Sequence, residues 1–135
     1  MIGILVVTHG DFSKEIVKSA ELIVGPQDNY KVLGLKHGDN IEKFESNVLD
    51  QIESFSSKEG VLVFVDLYGG SPFNTIAKNL NKLNDSINLE CISGVNLPIV
   101  LEAFLNRDEL NLSDLKNHCL KIGKESIRDI KQDLY

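Results

Sequence analysis

Three short stretches of this 135-residue chain carry residues that can do chemistry together: Thr8-His9-Gly10-Asp11, Asp66-Leu67-Tyr68-Gly69-Gly70-Ser71-Pro72, and Ser93-Gly94-Val95-Asn96. A histidine offers two ring nitrogens. A carboxylate that accepts a hydrogen bond from one leaves the other unprotonated and nucleophilic. Such an imidazole is a good phosphoryl acceptor, and the same carboxylate stabilises the charge that develops on the ring. His9 and Asp66 are the candidate pair. Ser71-Pro72 has the form of an N-cap followed by the first helical position, and a helix start presents free N–H groups that suit phosphate. Gly69 and Gly70 let backbone approach an anion closely. Each feature alone has an ordinary reading. A histidine or aspartate after a strand is commonly a loop or turn residue, and Gly-Gly-Ser-Pro is commonly just a helix-starting turn. The functional reading rests on their convergence.

That convergence depends on the elements that position them. Continuous apolar runs rich in Val, Ile and Leu occupy residues 2–7, 32–35, 61–65 and 89–92. Runs of this kind suit strands buried on both faces of a parallel sheet. Between them lie stripes at helical spacing. Ile16, Val17, Ala20, Ile23 and Val24 form the first, stopped by Gly25-Pro26. Ile41, Phe44, Val48, Leu49, Ile52 and Phe55 form the second, with Asp39 and Glu42 as an expected capping box. Phe73, Ile76, Ala77, Leu80 and Leu83 form the third. Residues 97–105 are expected to form a shorter helix, and residues 113–134 a single final one. Strict alternation predicts an α/β fold: one open, mostly parallel sheet of order 2-1-3-4 with helices on both faces, as a single domain over residues 1–135. In such sheets the site lies at the carboxyl ends of the strands where the order reverses. Strands one and three are neighbours there, so His9 and Asp66 are expected on the same rim.

Other chemistries have weaker support. His37 follows the second strand, which is expected at an edge, and reads as a loop residue; His118 lies inside the last helix. Three separated histidines without supporting cysteines or paired carboxylates argue against a metal site. No Gly-x-x-x-x-Gly-Lys-Ser/Thr, no Gly-x-Gly-x-x-Gly after the first strand and no Gly-x-Ser-x-Gly elbow is present. No cofactor is expected. The net charge of −6 disfavours nucleic acid and anionic membrane as partners. No apolar run approaches the roughly 20 residues needed to span a bilayer, and the N-terminus has neither a basic region nor a cleavage site of a signal peptide. Cys91 and Cys119 lack metal-ligand spacing and read as reduced buried thiols, which points to the cytoplasm.

Val6-Val7-Thr8-His9-Gly10, residues 63–74 with their Asp-Leu-Tyr-Gly-Gly-Ser-Pro-Phe-Asn sequence, and Gly94-Val95-Asn96-Leu97-Pro98 together resemble the enzyme IIA component of the mannose family of bacterial sugar phosphotransferase systems. The resemblance covers the whole chain. It implies that His9 accepts a phosphoryl group on Nε2 from the phosphocarrier protein HPr and passes it to enzyme IIB. It implies that Asp66 orients the ring through Nδ1, and that Gly70, Ser71 and the adjoining N–H groups hold the phosphate. It further implies a homodimer in which a strand is sometimes exchanged, and contact with the membrane only indirectly through transporter components. Tyr68 stands where relatives often have Trp. The chain is expected to be a stand-alone IIA, since no linker or second domain follows. Two other readings stay open at this point: the phosphoryl-donor subunit of a dihydroxyacetone kinase system, and a regulatory binding module controlled by phosphorylation.

Overall fold

The computed structural model describes residues 1–135. The apolar runs become β1 (Gly3–His9), β2 (Tyr30–Leu35), β3 (Val61–Val65) and β4 (Leu89–Ser93). They form one four-stranded, wholly parallel sheet of order β2-β1-β3-β4. The two central strands are buried along their lengths, with His9 the only exposed residue of β1. The edge strand β2 is half-buried throughout. Burial on both faces is why the central strands read as unbroken hydrophobic runs.

Successive side chains of a strand point to opposite faces, and the core divides accordingly. Ile2, Ile4 and Val6 pack with Ile16, Val17 and Ala20 of α1 (Phe12–Val24), with α5 (Leu97–Asn106) and with α6 (Leu112–Glu125). Leu5 and Val7 pack with Phe44, Val48 and Ile52 of α2 (Ile41–Glu53) and with Ile76 and Leu83, from α3 (Ser71–Ala77) and α4 (Leu80–Asn84). Helices therefore cover both faces, as expected. A short α7 (Ile130–Leu134) ends the chain. No helix is long and apolar enough to cross a membrane.

Four local expectations need correction. The third apolar stripe is two helices, because Asn79 leaves the helical path and its side chain donates to Thr75 O at 2.8 Å. The final stripe is also broken. Ser126 caps α6, its Oγ donating to Gly123 O at 2.8 Å, and α7 beyond it buries none of its residues. Asn40, not Asp39, caps α2 by accepting from Lys43 N at 2.9 Å. Asp39 lies one residue early and instead accepts from Lys36 N at 2.7 Å, closing the turn that Gly38 enters at φ 85°. Gly70, not Ser71, is the N-cap position of α3, which moves Ser71 into the helix as its first residue.

Both cysteines are free; Cys119 is buried and Cys91 partly so. Burial pushes both thiols up to about 12, so neither is a thiolate at neutral pH.

The end of the sheet away from His9 is held by a buried arginine. Arg107 Nη1 donates to Ile2 O at 3.3 Å and Asn29 O at 3.2 Å, and Nη2 donates to Asp28 O at 2.5 Å and Gln27 Oε1 at 3.3 Å. One guanidinium thus ties the start of β1 to the turn before β2. Its loss leaves the buried Ile2 carbonyl without this donor and removes the tie to Asp28 and Asn29 in the turn. An Arg107→Met variant is expected to lose about 3 kcal/mol or more, read as a lower midpoint in urea unfolding; an unchanged midpoint would contradict this account.

Candidate functional site

The strand register sets the site. Val7 pairs with Val65, so β1 runs two residues past β3, and His9 projects at the rim beside the first residue after β3, Asp66. Asp66 Oδ2 accepts twice from the histidine: from the main-chain N–H at 2.9 Å and from ring Nδ1 at 2.8 Å. Its Oδ1 accepts from Leu67 N at 3.0 Å. An ionised carboxylate only accepts, so Nδ1 carries the proton and the lone pair lies on Nε2. The Asp66 side chain is 14% exposed and that of His9 is 46% exposed. The carboxylate is sheltered while the imidazole ring is open to solvent.

The loop after Asp66 wraps the ring. Gly69 turns the chain at φ 83°. The Gly70 N–H donates to Leu67 O at 3.1 Å and so belongs to the turn itself. A Cβ on Gly70 would lie 2.9 Å from His9 Cε1 and 3.5 Å from Nε2, so only glycine leaves the ring its place. Ser71 begins α3, and its carbonyl accepts from Thr75 Oγ1 at 3.0 Å. The Asn74 side chain donates to Gly69 O at 3.3 Å, bracing the turn against the helix. Around this opening Phe12, Leu67 and Tyr68 stand exposed, and Tyr68 packs against Phe73 with ring centroids 4.4 Å apart.

His9, Asp66, Gly70 and Ser71 are therefore brought together at one rim. The other histidines are elsewhere. His37 is exposed in the turn between β2 and α2, and His118 Nε2 lies 2.7 Å from Glu102 Oε2, joining α5 to α6. No group of three His, Cys, Asp or Glu side chains is placed to hold a metal.

The sequence alone assigns no role to two further contributors, although Thr8 stands in the Thr-His-Gly stretch. Thr8 is fully buried, its Oγ1 accepting from Ser13 N at 2.8 Å and donating to His9 O at 3.1 Å. The available signal was a hydroxyl residue closing an otherwise apolar strand. Ser13 is buried beneath it.

Residues 3–120 match the family model EIIA-man, described as the PTS system fructose IIA component. The chain belongs to the EIIA-man family. It is 30% identical over 131 residues to the mannose-specific EIIAB component of Escherichia coli K12, covering 96% of this chain but 40% of that protein. The chain thus spans well under half the length of that relative. It is 28% identical to the fructose-specific EIIA component of Bacillus subtilis, covering 99% of this chain and 90% of the relative. Among solved structures, the phosphotransferase system component EIIA from Streptococcus agalactiae superposes with a TM-score of 0.88 at 29% identity, covering 98% of this chain and 99% of that one. This EIIA chain is thus a phosphotransferase-system component of the mannose family, and its sheet order is the one read from its alternating elements.

Proposed function

We propose that this EIIA accepts a phosphoryl group on His9 Nε2 from phospho-HPr and passes it to a histidine of enzyme IIB, for sugar uptake and phosphorylation by transporter components. The observation that carries this reading is the 2.8 Å contact between His9 Nδ1 and Asp66 Oδ2, which leaves Nε2 as the open nucleophile. In the forward step the Nε2 lone pair forms a bond to phosphorus as the bond to the donor's ring nitrogen breaks, and the donor ring recovers its lone pair. The His9 ring then bears positive charge, which the Asp66 carboxylate stabilises without taking the proton. Transfer to enzyme IIB is the same exchange with His9 as the leaving group. Gly70 leaves room at the ring edge, and in this reading the Ser71 hydroxyl and the first-turn N–H groups of α3 hold the phosphoryl oxygens. The whole chain, residues 1–135, acts as one IIA domain in the cytoplasm. The test is charging by phosphoenolpyruvate, enzyme I and HPr, followed by phosphorus NMR. An acid-labile Nε2 phosphohistidine is expected, whereas an Nδ1 adduct or no adduct would reject the reading.

The same reading includes a homodimer. β4 pairs only with β3, leaving one strand edge open, and beside it runs an apolar groove of about 270 Å³ lined by Tyr68, Phe73, Leu80, Cys91 and Leu120. Ile127, Ile130 and Leu134 of the C-terminal segment are 72–82% exposed. A second copy's C-terminal segment on this edge would cover both surfaces, and open strand edges invite such pairing. Light scattering is expected to give twice the chain mass, and an Ile130→Glu, Leu134→Glu variant is expected to be a monomer. A monomeric wild type would remove the dimer.

A further inference from the structure

We infer that the edge strand β2 positions the accepting histidine, with Gly34 and Ser13 as positioning residues that touch neither ring nor phosphate; this rests on His9 being the acceptor. Asp66 reaches His9 from β3 on one side. On the other side three consecutive residues of β2 grip the segment that follows His9. Leu33 O accepts from Ser13 Oγ at 3.0 Å. Leu35 O accepts from Gly10 N at 2.7 Å. Between them, a Cβ placed on Gly34 would lie 1.9 Å from Gly10 O and 2.9 Å from Gly10 C.

That last figure decides the argument. The obstacle is the backbone of the residue bonded to His9, not the end of a flexible side chain, so the carbonyl can approach β2 only because position 34 has no side chain. The register agrees, since Thr8 lies opposite Gly34 and His9 opposite Leu35. Ser13 closes the other end of the grip. It is 1% exposed, its Oγ is committed to Leu33 O, and its N–H donates to Thr8 Oγ1 at 2.8 Å. The main chain just after His9 is thereby fixed from β2, while Asp66 beside β3 holds both the His9 N–H and its ring. A shift of Gly10 swings the ring away from Asp66, and a displacement of about 1 Å in a reacting group can cost about 100-fold in rate.

A merely structural glycine serves as the control. Gly3, at the opposite end of β1, is also closely packed: an added Cβ would lie 2.4 Å from the Phe55 ring. Gly34→Ala, Ser13→Ala and Gly3→Ala are compared by thermal melting, by phosphoryl transfer from phospho-HPr well below each midpoint, and by ¹⁵N imidazole NMR of the uncharged protein. Gly34→Ala is expected to lower transfer by about 100-fold with donor KM little changed, and to lose the Nδ1–H form of His9. Ser13→Ala is expected to show a smaller loss of the same kind. Gly3→Ala is expected to lose stability while keeping transfer and the His9 spectrum. The inference is overturned if Gly34→Ala and Ser13→Ala keep the wild-type His9 spectrum, or if their transfer losses merely track their melting points as in Gly3→Ala. Should Gly34→Ala not fold, Ser13→Ala decides by the same two readouts. The spectrum is read without any partner protein, so a failure of the acceptor reading, seen as normal charging of His9→Gln, is separable from a failure of this one.

Discussion

A His9→Gln variant is expected to take up no phosphoryl group above background from phosphoenolpyruvate, enzyme I and HPr, while melting close to the wild type. Glutamine can keep a polar contact with Asp66, but its amide nitrogen has no basic lone pair and cannot hold phosphorus. The remaining histidines are not substitutes. In His118 the nitrogen next to a carboxylate is Nε2, bonded to Glu102 across two helices, and His37 lies outside the rim that Asp66 and the Gly-Gly turn create. The fold should tolerate the change, because the His9 side chain is 46% exposed and substitutions at such positions cost about 0.5 kcal/mol or less. Charging of the variant at the wild-type rate would show that another residue is the acceptor.

The second large effect is expected at Asp66. Asp66→Ala removes the acceptor for Nδ1 and the negative charge beside the ring, and transfer is expected to fall by about 100-fold or more. Asp66→Asn separates the two contributions. Its amide oxygen can still accept from Nδ1, so the ring keeps part of its orientation, but the charge that stabilises the phosphorylated ring is gone. Its rate is expected between those of the wild type and Asp66→Ala. In both variants the ¹⁵N spectrum of His9 is expected to show more of the Nε2–H tautomer, which is unreactive at the nitrogen a partner can reach. The lost hydrogen bonds cost about 2 kcal/mol or more, so transfer is compared well below each variant's melting midpoint, which separates inactivity from unfolding. Wild-type transfer in Asp66→Ala would leave His9 acting alone.

The placement of His9 and Asp66 was legible because it follows from a coarse property. Four apolar runs separated by helical stripes force a parallel sheet, and right-handed crossovers bring the ends of the first and third strands together. The family resemblance supplied the donor and acceptor proteins, which no side chain here encodes. What was not legible depends on single residues. Asn79 and Ser126 interrupt stripes that continue in periodicity alone, because a side chain that bonds a nearby carbonyl competes with the helix. Asp39 and Asn40 are both good caps, and only the turn at Gly38 decides between them. The grip of Gly34 on Gly10 joins positions far apart in the chain, and a glycine in a half-buried edge strand has no pattern that announces a neighbour.

The two halves of the reactive pair stand 57 residues apart and meet only when β3 has docked beside β1. A chain still emerging from synthesis, or one partly unfolded, has the histidine but not its carboxylate. If His9 is the acceptor, such a molecule would be a poor substrate for charging and would stay outside the relay. Under the proposed role, completed folding would be the condition for charging, and the fraction of molecules that charge would report how many have assembled their central strands.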